Sequence, residues 1–114
     1  MKSMEKLNEI INGSQLTLVD FFATWCGPCK MMHPVLEQLK EEMGDSLRII
    51  KIDIDKNEAL MEQYRIQSVP TLMLFRKGDA LWRQSGAMSL SDLKKVVNLS
   101  LIHISEPTRL RCIS

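Results

Sequence analysis

The run Leu16-Thr17-Leu18-Val19-Asp20-Phe21-Phe22-Ala23 constrains the fold more than any other segment. It is apolar at both odd and even positions, the pattern of a central strand covered on both faces. The flanking chain offers the helices such a strand needs. Leu7, Ile10 and Ile11 mark one face of a first helix, with Ser3 placed to cap it and Gly13 to stop it. Met32, Val35, Leu36 and Leu39 form the stripe of a second helix over residues 26–43, ended by Gly44. Residues 47–55 read as a second strand and 57–64 as a short helix. Residues 71–76 and 80–84 read as a hairpin around Lys77-Gly78-Asp79. A last helix starts near Ser89 or Ser91, with Leu90, Leu93, Val96 and Val97 facing inward. The order α-β-α-β-α-β-β-α predicts an α/β fold, a mixed sheet between two helical layers.

A chain of 114 residues, 45% hydrophobic, has room for one domain and enough apolar material for a core without disulfide staples. With 15 basic and 14 acidic residues and no charge run, neither nucleic acid nor an acidic membrane is an expected partner. No apolar stretch near Met1 has the length of an export signal, and none elsewhere approaches a membrane span. Three cysteines, an odd number, argue against a structural disulfide framework. The expected compartment is therefore the cytoplasm, where thiols stay reduced.

Trp25-Cys26-Gly27-Pro28-Cys29-Lys30 lies where the first strand passes into the second helix. The spacing puts both sulfurs on one face of the first helical turn, where they can stand as a dithiol or close a disulfide. Unpaired N–H groups and the positive end of the helix dipole favour a thiolate there, so Cys26 is the expected nucleophile. Gly27 keeps the approach to Cys26 open, and Pro28 forfeits no helix bond in the first turn. The rival reading, half of a zinc site, needs about four ligands. Only Cys112, His33 and His103 remain as partners, at no matching spacing, so no metal is expected.

The segment 19–30, Val-Asp-Phe-Phe-Ala-Thr-Trp-Cys-Gly-Pro-Cys-Lys, closely resembles the thioredoxin signature. The resemblance continues through Lys51-Ile52-Asp53-Ile54-Asp55, Ser68-Val69-Pro70-Thr71 and Ser85-Gly86-Ala87, covering residues 5–98. It implies the thioredoxin fold and reduction of disulfides in target proteins. Two departures stand out. Phe22 occupies a position where many thioredoxins carry tryptophan, and the short chain before the first helix leaves out their extra N-terminal strand. About four strands are therefore expected rather than five.

On the residues alone, Asp20 is either a strand end reaching solvent or a buried, functional carboxyl. The resemblance implies the second: an aspartate beneath the second cysteine that helps move its proton, a task suited to a desolvated carboxyl. Lys51 stands where the family has a lysine near that aspartate, although a solvated strand face would also explain it. Only about 5–6% of X-Pro bonds are cis, yet the resemblance implies a cis Val69–Pro70 bond facing the cysteines. The Val69 backbone would then pair with an extended substrate segment. Gly86 and Ala87 would form the opposite wall, small enough for close approach. Trp25 would cover the disulfide as a docking face; by itself it could equally be core. Pro34 should kink the second helix for reasons of packing, and His33 reads as a solvated helix position.

The mechanism implied is attack by Cys26 on a target disulfide, then resolution by Cys29. No cofactor is bound. Electrons come by resemblance from NADPH through a flavin-containing thioredoxin reductase, which with disulfide-containing proteins makes up the expected partners of a monomer. An oxidising or isomerising relative is disfavoured by the Gly27-Pro28 pair and the missing export signal. A pure docking module is disfavoured by retention of both cysteines. Residues 1–98 form the expected domain. The tail 99–114, with Leu101-Ile102-His103-Ile104 and Cys112, does not resemble the family. It resembles adaptor read-through, the alternative being a native tail with a regulatory thiol, and Glu106-Pro107 should stop any helix entering it.

Overall fold

The computed structural model describes residues 2–105, with side chains from 7 to 101. The element order is α1 (Lys2–Ile11), β1 (Leu16–Phe22), α2 (Gly27–Met43), a 3-10 turn (Gly44–Ser46), β2 (Leu47–Asp53), α3 (Glu58–Gln63), β3 (Thr71–Arg76), β4 (Asp79–Ser85) and α4 (Leu90–Ser105). The four strands form one sheet in the order β2-β1-β3-β4. β1 runs parallel to β2 and antiparallel to β3, and β3 pairs with β4 as a hairpin. The expected mixed sheet of four strands is therefore present.

Alternation along β1 sorts the core into two layers. Val19 and Phe21 point with Met73, Phe75, Leu7, Ile11 and Leu60 into the layer under α1 and α3. Leu16 and Leu18 point with Leu72, Leu74, Leu47, Met32, Leu36, Leu39, Leu93 and Val97 into the layer under α2 and α4. Fully burying one such side chain contributes about 1.5–3 kcal/mol, so each layer anchors the central strand firmly.

Some boundaries differ from expectation. α1 already includes Ser3, so Ser3 does not stand ahead of the helix as its cap. Ser89 does cap α4: its hydroxyl accepts the Asp92 N–H at 3.1 Å. Pro34 lies inside α2 on its exposed side, so packing does not account for it. α4 runs through residue 98 without a break, and Leu101 packs against the α2/α4 layer while Leu99 is 54% exposed. Glu106-Pro107 and Cys112 lie outside the described residues.

Candidate active site

The end of β1 delivers Cys26 to the start of α2. Cys26 is the N-cap, with extended backbone (φ −94°, ψ 117°), and Pro28 occupies the first turn. Its sulfur does what a capping hydroxyl does elsewhere: Sγ accepts the Cys29 N–H at 3.1 Å. Cys26 and Cys29 form a disulfide with Cα atoms 5.3 Å apart, within the span such a bond bridges without backbone movement. The two sulfurs differ in access. Cys29 is fully buried, whereas Cys26 retains 5% exposure. A Cβ at Gly27 would meet no described residue within 4 Å, so the space beside Cys26 is open to a partner.

The Val69–Pro70 peptide is cis. The Val69 carbonyl oxygen lies 3.7 Å from Cys26 Sγ, across 43 residues of sequence. Gly86, at φ +96°, donates its N–H to the Pro70 carbonyl at 2.8 Å. Thr71 Oγ1 donates to the Ser68 carbonyl at 2.7 Å, closing the turn from below. Gly86 and Ala87 are exposed beside this loop.

Asp20 is completely buried, and neither carboxylate oxygen has a hydrogen-bond partner among the described residues. Burial pushes its pKa from 3.8 to about 6, and the nearby Lys51 charge moderates the rise. Lys51 is the register partner of Asp20 across β1 and β2, its side chain exposed. The solvent-reaching reading of Asp20 is thus excluded.

Trp25 is 68% exposed, which excludes the core alternative. Its indole is anchored, with Nε1–H donating to Asp55 Oδ2 at 2.9 Å. Asp55 was not among the expected site residues. The signal was the level at which two parallel strands end: Phe22 pairs with Asp53, so residues just past each strand meet. His33 corrects another expectation. It is half-buried, edge-on to Phe22 with ring centroids 5.4 Å apart, and its Nε2 is buried without a partner among the described residues. No group of three His, Cys, Asp or Glu among the described residues could hold a metal ion.

A mixed sheet with a Cys-Gly-Pro-Cys disulfide at a helix N-terminus, faced by a cis-proline loop, defines a protein thiol–disulfide oxidoreductase. The comparisons with known proteins agree. The Thioredoxin family model matches residues 2–99. A thioredoxin-like protein of Synechocystis is 44% identical over 93 residues, covering 81% of this chain and 89% of its own. Thioredoxin of Bacillus subtilis is 44% identical over 86 residues, covering 75% and 83%. The oxidised form of mitochondrial thioredoxin 3 from Saccharomyces cerevisiae superposes with a TM-score of 0.76 at 30% identity, covering 83% of this chain and 88% of that one. The chain belongs to the thioredoxin family: it is a dithiol–disulfide oxidoreductase that reduces disulfides in target proteins.

Proposed function

We propose that Cys26 is the attacking sulfur and Cys29 the resolving one. The observation that carries this reading is the asymmetry of the pair: Cys26 Sγ caps the helix, accepts an N–H and is the more accessible, while Cys29 is buried. In the reduced protein, the Cys26 thiolate attacks one sulfur of a target disulfide. That S–S bond breaks, a mixed disulfide forms, and the second target sulfur leaves as thiolate. Cys29 then loses its proton to Asp20 and attacks Cys26 Sγ, releasing the reduced target and closing the Cys26–Cys29 bond. Lys51 tunes the Asp20 carboxyl through its charge. Target segments lie along Trp25, Gly27, Pro28, Val69, Pro70, Gly86 and Ala87. The Val69 N–H makes no hydrogen bond within the described chain, which suits pairing with an extended peptide.

The oxidised pair regains two electrons from NADPH through a flavin-containing thioredoxin reductase, and no cofactor resides in this chain. Its partners are that reductase and disulfide-containing proteins, not nucleic acid or membrane. Among the described residues no helix is long and apolar enough to cross a membrane. A monomer in the cytoplasm, where the dithiol is kept reduced, fits this cycle. Residues 1–98 suffice for the exchange, and the tail 99–114 takes no part in it. Trapping tests the reading: Cys29→Ser should accumulate a mixed disulfide through Cys26 with a reducible protein such as insulin. Slower alkylation of Cys29→Ser than of Cys26→Ser by iodoacetamide at neutral pH would reverse the assignment.

A further inference from the structure

Beside Cys26, an open groove of about 410 Å³ runs from the Trp25 indole and Val69 along α3. Its floor is apolar, made by Ile54, Met61 and Ile66. Three carboxylates line it, those of Asp55, Glu58 and Glu62, and no Lys or Arg among the described residues does. Lys56 and Arg65 flank α3 in sequence without lining the groove. The carboxylates differ in what they already do. Asp55 holds the Trp25 indole N–H. Glu58 and Glu62 are exposed at helical i,i+4 spacing and have no side-chain partner among the described residues.

The indole adds a second, separate signal. A tryptophan that is 68% exposed yet fixed in orientation presents a preformed aromatic face. Such a face attracts a cation, and a planar guanidinium stacks on it better than an ammonium does. Groove, indole and carboxylates therefore ask for one guest: an arginine whose alkyl stem lies on the apolar floor and whose guanidinium meets both the indole and a carboxylate.

We propose that this groove reads charge in the target, so that the protein prefers disulfides with an arginine next to an apolar residue close to the attacked half-cystine. The inference rests on Cys26 being the attacking sulfur, because Trp25 precedes it and Val69 faces it at the groove's mouth. Two residues of extended chain reach about 7 Å, enough to carry a side chain from the sulfur into the groove.

The test uses the reduced full-length protein and a set of disulfide-bridged peptides. They differ only in Arg, Lys, Gln or Glu two residues from the half-cystine, placed on either side. The order of second-order reduction rates should be Arg, Lys, Gln, Glu. The Arg peptide should exceed the Glu peptide about tenfold at low salt, since exposed ion pairs and an aromatic contact combine. The ratio should shrink to about two- to threefold near 0.5 M salt. Glu58→Gln with Glu62→Gln should flatten the order, and the corresponding double change to Arg should invert it. Equal rates for all peptides with the wild-type protein, or a preference that survives both double variants, would overturn the proposal. Iodoacetamide alkylation of the two cysteine variants separates the two levels. If Cys29→Ser reacts faster than Cys26→Ser but no peptide preference appears, the groove reading alone is lost. If Cys29→Ser is the slower, the Cys26 reading falls and this inference with it.

Discussion

Cys26 and Asp20 lie six positions apart in sequence on one strand–helix unit, and that unit treats them in opposite ways. Cys26 sits at a helix N-terminus and accepts an N–H, surroundings that favour its charged form. Asp20 is buried within β1 without a hydrogen bond on either oxygen among the described residues, surroundings that favour its neutral form. The contrast shows how one local motif sharpens one acid and blunts another. A helix dipole acts at the surface end of the motif, while desolvation acts inside β1, two residues before the strand ends. The proposed mechanism draws on both settings, with Cys26 as the attacking sulfur and Asp20 as a carboxyl able to trade a proton near neutral pH.

The most severe way to break this contrast is to remove its reactive member. Cys26→Ser should abolish insulin reduction, a loss of at least about a thousandfold, because no other sulfur in the described site can start the exchange. The variant should still fold, since a serine hydroxyl can cap α2 as the sulfur does. Retention of more than a few per cent of activity, with circular dichroism unchanged, would contradict the mechanism.

The other member is probed by Asp20→Asn. The folded pKa of about 6 lies above the unfolded value of 3.8, so folding favours the protonated form. The stability this confers is fully present below the unfolded value and is lost as pH rises through about 6. The loss amounts to roughly 3 kcal/mol at neutral pH. Urea unfolding near pH 4 should therefore find variant and wild type similar, and near pH 7.5 should find the variant more stable by up to roughly 3 kcal/mol. Turnover should slow several-fold, and the inflection of the resolving step near pH 6 should vanish. A variant with wild-type kinetics across about pH 5–8 would separate the buried charge from the reaction.

The opposite wall of the site sharpens the comparison at a lower energy. Gly86 holds φ +96° while its N–H pins the Pro70 carbonyl. No described residue stands within 4 Å of a Cβ there, so the penalty for Gly86→Ala is conformational rather than steric crowding. It should cost about 1–2 kcal/mol of stability and raise KM for protein substrates more than it lowers kcat. An unchanged KM would mean that this wall does not touch the target.

These cases also show why some of the site was legible in sequence and some was not. The Cys-x-x-Cys spacing, the doubly apolar β1 and the stripe of α2 are local patterns, so the strand, the helix and the two sulfurs were readable directly. The Asp55–Trp25 contact depends on where two parallel strands end, and the Val69–Cys26 approach joins residues far apart in sequence. Only the family resemblance pointed to the second, and the first follows only once the pairing of β1 with β2 is known. His33 was misjudged because it lies off the Met32–Leu36–Leu39 stripe. The wheel of α2 does not reveal that Phe22, at the end of β1, reaches its ring.

Leu101 carries the smallest predicted effect. The sequence offers Leu99 and Leu101 no evident partner, because the inward stripe of α4 is complete by Val97. The structure divides them: Leu99 stays exposed, and Leu101, one turn beyond Val97, packs on the α2/α4 layer. A half-buried leucine contributes about 1 kcal/mol, against about 2–5 for truncating a fully buried one such as Leu93. Leu101→Ala should thus lower the unfolding free energy by about 1 kcal/mol, Leu99→Ala should change it by less than about 0.5, and both should leave insulin reduction intact. A chain ending after Asn98 should behave as Leu101→Ala does, because the catalytic groups all lie before it. If that truncation instead costs several kcal/mol or any activity, residues past 98 belong to the domain as fully as the stripe does.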